Sequence, residues 1–275
     1  MTEASTEPAP DTNDELTPTE MIHLTYEGNF QLKCDATLLS CQVIGEDRVE
    51  LQLDRTAMHP QGGGQPTDLG VIESGDTVVQ ISKVTVDRES GIVTHAGTIK
   101  EGPPLQVGQL VHVAVDPDER QILSECHTAG HVVDSAMARC NRILPPSKGY
   151  HFLDGPYVEY KGSIPPEHRE ALLGDLQKAF ADLVEEGIET KIETLSKQDA
   201  QDACNRVQDN FNLDDFGAGD ADIRIVTVAG WPCPCGGTHV KSTNDLKERK
   251  WGVVGIKGKK GVVRIKYGQN AAVEV

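Results

Sequence analysis

The chain has 275 residues, a formal net charge of −17, 37% hydrophobic residues and only 4% aromatic residues. This length suits one large or two ordinary domains, and no apolar run reaches the roughly 18 residues that a membrane-spanning helix needs. The acidic balance argues against general nucleic-acid binding, although the charge is unevenly distributed along the chain.

Residues 1–22 are predicted to form a disordered acidic tail. The segment MTEASTEPAPDTNDELTPTE has acids, Pro and Thr but no Lys or Arg, so it resembles neither a signal peptide nor a transit peptide. Without an export signal, the seven Cys residues are expected to be reduced thiols or metal ligands, and the protein is expected in the cytoplasm.

Residues 23–116 are predicted to form a β-barrel-like domain. ATLLSCQVI and RVELQL flank GED as the strands of a hairpin would, and LVHVAVD alternates apolar and polar residues. Gly, Pro and Asp interrupt the segments about every 8–12 residues, which is typical of a small barrel or sandwich. The stretch DRTAMHPQGGGQPTDLG contains Gly62, Gly63 and Gly64, which would let the backbone approach a ligand closely. A cluster of β-turns joining strands is the alternative.

Residues 117–275 are predicted to form an α+β domain. A helix begins after Asp116, a suitable cap, and the run ERQILSECHTAGHVVDSAMARC carries apolar residues at helical spacing. A second helix covers EHREALLGDLQKAFADLVEEG and ends at Gly187, and a shorter one covers SKQDAQDACNRV. The strands ADIRIVTVAG, KWGVVGIKGKK and GVVRIKYG follow. The expected fold class is therefore α+β, with a β-barrel-like N-terminal module.

Two residue pairs have the spacing of metal ligands. His127 and His131 are four residues apart and would share one face of a helix. Cys235 and His239 have the same separation, with a glycine turn between them. The four residues form a Cys/His3 set that suits Zn²⁺, although Cys233 could take the place of Cys235. The tripeptide TAG between the first two His lacks the Glu of His-Glu-x-x-His metalloproteases, which argues against peptide hydrolysis.

The segment KERKWGVVGIKGKKGVVRIKYG is strongly basic, with eight Lys or Arg residues against one Glu. Such a strip can bind phosphates even on an acidic protein, and Lys257, Lys259 and Lys260 are the predicted contacts. The alternative is an edge strand that lysines protect from aggregation.

Three motifs follow one another: HPQGGGQPTDLG, HTAGHVV and CGGTHV. In this order they resemble the AlaX family, the free-standing relatives of the alanyl-tRNA synthetase editing domain, over roughly residues 25–270. Threonyl-tRNA synthetase editing domains share the two metal-type pairs, but the glycine-rich β module favours the alanine branch. The resemblance implies a second-additional-domain-like editing module with a zinc site. It also implies trans-editing, in which the ester of Ser-tRNA(Ala), and as a second candidate Gly-tRNA(Ala), is hydrolysed at the tRNA acceptor end.

The resemblance also implies roles for individual residues. The residues that match the metal positions are His127, His131, Cys235 and His239. Thr56 precedes the glycine loop, where its hydroxyl would read the serine side chain, and Gln65 closes the loop and would contact the substrate. Gly130 stands where the synthetase domain often has Thr, and Lys148 lies in SKGYHF where Gln-x-Gly-Ser is expected. These two departures indicate that amino-acid discrimination differs in detail in this chain.

Several alternatives remain open from the sequence. Zn²⁺ would either polarise water or chiefly hold the aminoacyl group, and four protein ligands are the pattern of a structural site. One alternative function is a zinc-stabilised RNA-binding protein without catalysis. Others are an editing hydrolase for another mischarged tRNA and a thiol enzyme that uses Cys233 or Cys235 as its nucleophile.

Overall fold

The computed structural model describes residues 17–208, 211–216, 221–259 and 261–271. Its strands and α-helices are, in chain order, β1 (Glu20–Met21), α1 (Tyr26–Asn29), β2 (Lys33–Val43), β3 (Arg48–Leu53), β4 (Arg55–Thr56), β5 (Gly70–Ser74), β6 (Thr77–Val86), β7 (Val93–Glu101), β8 (Leu110–Val115), α2 (Pro117–Arg139), β9 (Pro146–Tyr150), β10 (Tyr157–Lys161), α3 (Arg169–Glu185), β11 (Lys191–Leu195), α4 (Lys197–Asn205), β12 (Ile223–Val228), β13 (Trp231–Pro234), β14 (Gly252–Lys259) and β15 (Val262–Gly268).

The first half of the chain forms a closed barrel, in the strand order β2-β3-β7-β6-β5-β8. Successive residues of a strand point to opposite faces, so the valines of LVHVAVD all face inward. Val111, Val113 and Val115 are buried accordingly, whereas Leu110 and His112, on the other face of the strand, are exposed. The predicted β-barrel-like module is confirmed.

The second half is α+β, as predicted. Asp116 caps α2, because its carboxylate accepts hydrogen bonds from the backbone N–H groups of Asp118 and Glu119. α2 packs against α3 and against a four-stranded sheet in the order β14-β15-β10-β9. A three-stranded sheet, β11-β12-β13, completes this half. The sequence did not predict β9 and β10, which are short and are held by pairing to β15 through β10.

The predicted disordered tail needs a correction at its end. Residues 1–16 lie outside the described residues. Glu20–Met21, however, pairs in parallel with Arg55–Thr56. The buried Thr19 hydroxyl donates to the carbonyl of Leu53 and accepts from the backbone N–H of Val93. Ordered structure therefore begins before residue 23, because backbone and side-chain hydrogen bonds tie this segment to the barrel.

A buried ion pair joins the loop after the glycines to α2. Nε of Arg120 lies 3.0 Å from both carboxylate oxygens of Asp68, and the guanidinium also donates to the carbonyl of Ala57 at 2.7 Å. Asp68 additionally accepts from the backbone N–H of His59 at 2.6 Å. The division into two domains near residue 117 stays a prediction, while this contact shows how the two halves are held together. None of the helices built by the described residues is long and apolar enough to cross a membrane.

Candidate metal centre and adjoining cavity

Four potential metal ligands meet in the protein interior. They are His127, His131, Cys235 and His239, and their ligand atoms all lie within 4.8 Å of one another. α2 presents the first two on one face, with ring centroids 5.1 Å apart, as the four-residue separation predicts. The turn after β13 supplies the other two, and there the backbone N–H of Gly237 donates to Sγ of Cys235 at 3.4 Å. A Cβ on Gly237 would overlap the imidazole of His127, so this position requires glycine.

Hydrogen bonds orient two of the imidazoles. His127 Nδ1 donates to Oε1 of Gln65 at 2.7 Å, and His239 Nδ1 lies 3.1 Å from the Thr128 hydroxyl. The Nε2 atoms of both rings therefore face Sγ of Cys235, at 3.5 Å for His127 and 3.3 Å for His239. Such outer partners of ligating His residues set the tautomer and the direction of the lone pair.

The donor set fits a tetrahedral zinc ion. Typical Zn–S and Zn–N bond lengths place sulfur and nitrogen ligands about 3.6 Å apart, close to the two sulfur–nitrogen distances here. Nδ1 of His131 is buried, and no described residue gives it a hydrogen-bond partner. Burial lowers the pKa of His131 to about 4, so the ring is held in the neutral form that binds metals. Burial raises the pKa of the Cys235 thiol, while the guanidinium of Arg224 opposes that rise.

A cavity of about 660 Å³ adjoins the cluster, a volume typical of small-molecule sites. The residues named from the sequence that line it are Gly62, Gly63, Gly64, Gln65, His127, Gly130, His131, Lys148, Cys233 and Cys235. Gly64 has φ +83°, and a Cβ there would collide with the carbonyl of Gly149. Its own carbonyl accepts from the backbone N–H of His151 at 2.8 Å. The glycine loop thus packs closely against the segment that follows α2.

His151 belongs to this site but was missed from the sequence. Its ring stacks on His127 with centroids 4.2 Å apart, and its Nδ1 lies 2.5 Å from the hydroxyl of Tyr267. A Cβ at Gly130 would lie only 2.5 Å from Cε1 of His151. Position 130 therefore requires glycine, because the imidazole of His151 fills the space that a side chain would occupy. No spacing pattern in GYHF indicates this contact.

Two predicted substrate contacts are placed differently by the structure. Thr56 does not line the cavity: it is fully buried, and its hydroxyl donates to Nε2 of His95 and accepts from the backbone N–H of Met58. The structure therefore shows no contact of Thr56 with this cavity, and its role as the serine reader stays a prediction. Gln65 borders the cavity, but its amide hydrogen-bonds to His127 and Thr238, so it orients the imidazole of His127.

The predicted basic contacts lie away from the cavity. Lys257 and Lys259 are exposed on β14, at the opposite edge of the four-stranded sheet from Lys148 on β9. Lys260 lies outside the described residues. Two charged residues that the sequence analysis did not single out, Arg88 and Asp134, do line the cavity. Asp134 follows His131 by three residues, so helical spacing could have indicated it.

The chain matches two family models. Residues 5–119 match the model described as tRNA synthetases class II (A), and residues 223–266 match the threonyl and alanyl tRNA synthetase second additional domain. The barrel and the residues around CGGTH therefore each have counterparts in aminoacyl-tRNA synthetases.

Similar proteins cover most of this chain. Alanyl-tRNA editing protein AlaX-L of Pyrococcus horikoshii is 26% identical over 223 residues, which are 80% of this chain and 51% of that protein. An alanine–tRNA ligase of Acidothermus cellulolyticus is 28% identical over 205 residues, which are 72% of this chain and 22% of the ligase. An alanine–tRNA ligase of Synechococcus sp. is 30% identical over 202 residues, which are 73% of this chain and 22% of the ligase. The chain thus spans about half of AlaX-L and less than a quarter of the ligases.

The chain thus combines a closed barrel, a His/Cys cluster and a segment that matches the second additional domain, an arrangement similar to modules of alanyl-tRNA synthetases. More narrowly, the chain is similar to the editing protein AlaX-L over 80% of its length, in agreement with the AlaX resemblance of its motifs.

Proposed function

We propose that this protein hydrolyses the ester bond of mischarged tRNA(Ala), chiefly Ser-tRNA(Ala) and secondarily Gly-tRNA(Ala), with Zn²⁺ held at the four-residue cluster. The observation that carries the proposal is the convergence of four metal-binding side chains beside a cavity that the glycine loop borders. The name of the Pyrococcus relative, an alanyl-tRNA editing protein, supports the same substrate class.

The proposed zinc ligands are His127, His131, Cys235 and His239. When bound, Zn²⁺ would supply positive charge that polarises an ester carbonyl or a water molecule. The chain's own residues prepare this site, because Gln65 and Thr128 hold two imidazoles in a fixed orientation and burial keeps the rings neutral. An aminoacyl ester is an activated bond, so its hydrolysis does not require a strong general base.

A row of charged side chains supports the acceptor end of tRNA as the partner. In the strand register, Lys257 lies opposite Arg264, Arg264 lies opposite Glu159, and Glu159 lies opposite Lys148. Directly paired residues of antiparallel strands share a face, so this row crosses the sheet and ends at the cavity. Three strand spacings make it about 14 Å long. Glu159 is neutralised by Arg264 at 2.7 Å, which leaves Lys257 and Lys148 to attract phosphates.

Stacked aromatic rings on the same face of the sheet favour binding of an unpaired nucleic-acid end. The rings of Tyr157 and Tyr150 stack with centroids 5.3 Å apart, and Tyr150 stacks on Phe152 at 4.7 Å. The guanidinium of Arg264 lies 4.5 Å from the centroid of Tyr157. Aromatic rings beside cations are the usual platform for unstacked bases, and Tyr150 and Phe152 also line the cavity.

The thiol-enzyme alternative has less support than the hydrolase. Burial raises the pKa of Cys233 well above its ordinary value and raises that of Cys235 as well. A nucleophilic cysteine needs a lowered pKa at neutral pH. Without a bound metal, both residues are therefore held as thiols and not as the thiolates that a nucleophilic cysteine enzyme requires.

The test is a panel of Ser-, Gly- and Ala-tRNA(Ala) incubated with zinc-loaded and metal-stripped protein. We expect rapid release of Ser, slower release of Gly and little release of Ala, with activity lost on stripping and restored by zinc. Cys235→Ser should lose both bound zinc and turnover, whereas Cys140→Ser, which changes a thiol outside the cluster, should keep both. Tight zinc and tRNA binding without release of any amino acid would favour the RNA-binding alternative instead.

A further inference from the structure

The cavity beside the metal cluster is electrically polarised. Among the described residues that line it, Asp134 is the one carboxylate, whereas the cations Arg88 and Lys148 are both exposed. Asp134 follows His131 by three residues on α2, so its side chain lies on the same helix face as the two histidine ligands. The cavity therefore has cations near its opening and one acid beside the cluster.

Asp134 is held in place through one of its oxygens. Tyr160, itself buried, donates its hydroxyl to Oδ1 of Asp134 at 2.6 Å. Oδ2 receives no hydrogen bond from any residue that the structure describes, and the side chain is only partly buried. Burial raises the pKa of this carboxyl to about 7, so a bound cation would favour its ionised form. One oxygen is thus fixed, while the other is free for a ligand.

We propose that Asp134 is a substrate-binding residue whose carboxylate receives the α-ammonium group of the aminoacyl ester. An aminoacyl nucleotide is anionic at its phosphates and cationic at its amino group, which matches the polarity of the cavity. The ammonium nitrogen is two bonds from the ester carbonyl carbon. Side chains three residues apart on a helix are about 5–6 Å apart at Cβ, so a carbonyl beside His131 places the amine near Asp134.

This inference rests on the proposed hydrolase function. It adds how the site would recognise an ester whose α-amino group is unmodified and charged. A charge-assisted hydrogen bond from an ammonium to a carboxylate is stronger than a neutral one. Its loss in a partly buried site should reduce kcat/KM by about 10- to 100-fold. A substrate without the charge should lose the same contact and be unaffected by removal of the carboxylate.

The experiment compares tRNA(Ala) esterified with serine and with glycerate, in which a hydroxyl replaces the ammonium. Each kcat/KM is normalised to the uncatalysed hydrolysis of the same ester, because the two esters differ in intrinsic reactivity. Asp134→Asn keeps an oxygen that accepts from Tyr160 and removes only the charge. Asp182→Asn is the matched control, since its carboxylate pairs with Lys178 on the surface of α3 and does not line the cavity. Thermal unfolding of both variants verifies that they are folded.

We expect wild type and Asp182→Asn to prefer the serine ester, and Asp134→Asn to lose that preference through slower serine release alone. An equal preference in wild type and Asp134→Asn would overturn the inference while leaving the hydrolase proposal intact. An equal loss of rate on both esters in Asp134→Asn would also overturn it, because that pattern indicates a structural role. If wild type releases neither acyl group, the hydrolase proposal itself fails.

Discussion

Replacement of Gln65 by Leu is expected to weaken both the fold and zinc binding. The Gln65 side chain is fully buried, with Oε1 accepting from His127 Nδ1 and from the backbone N–H of Thr238. Leucine has a similar size but accepts no hydrogen bond, so two buried donors would lose their partner. The Thr238 hydroxyl keeps a second partner in Ser124 at 2.8 Å and adds little to the cost.

The magnitude follows from these two donors. Each buried donor without a partner costs about 1–3 kcal/mol, so the free energy of unfolding of the metal-free protein should fall by about 2–6 kcal/mol. Loss of the hydrogen bond that orients His127 should also weaken zinc affinity by about 10- to 100-fold. Gln65→Glu is the matched control, because its carboxylate still accepts from both donors.

Two measurements test this prediction. Urea unfolding of the metal-free variants gives the stability change, and competition with a chromophoric chelator gives zinc affinity without reference to turnover. Gln65→Leu should have lower stability in urea and lower zinc affinity than wild type, and Gln65→Glu should show a clearly smaller decrease in each. If Gln65→Leu matches wild type in unfolding midpoint and in zinc affinity, the assignment of Gln65 as an orienting residue is refuted.

Two further predictions concern the barrel and its junction with α2. Arg120→Met should destabilise the protein by about 3–5 kcal/mol in urea, because it leaves Asp68 charged, buried and unpaired, whereas Arg55→Met at the surface should cost at most about 1 kcal/mol. Equal effects of the two substitutions would contradict the central role of the buried pair. Burial lowers the pKa of His95 to about 4, below its ordinary 6.5, so the unfolded chain binds the proton more readily. The contribution of His95 to stability is therefore complete above pH 6.5 and is lost as the pH falls toward 4, by about 2 kcal/mol between pH 7.5 and 5. His95→Gln should lose correspondingly less stability than wild type between these two pH values, and an unchanged pH dependence would argue against a neutral His95 in the fold.

Local spacing in the sequence determined much of the secondary structure and the two His/Cys pairs. An α-helix brings residues four positions apart onto one face whatever lies around it, so His127 and His131 could be paired without a structure. The alternation of Val111, Val113 and Val115 likewise assigns one face of a strand to a core. The glycines around Cys235 marked a turn that requires close backbone approach. These features depend on chain geometry over a few residues.

Tertiary structure decided which distant groups share the site. The orientation of Thr56 depends on how β4 meets the barrel, and there its hydroxyl turns to His95 instead of the cavity. The position of Lys257 depends on the strand order of the four-stranded sheet. The unpredicted strands β9 and β10 lie on the far side of β15 from the strand that carries Lys257. His151 and Gly130 fill one shared space although 21 positions separate them. Such contacts arise from packing between elements far apart in the chain, and periodicity within one element carries no information about them.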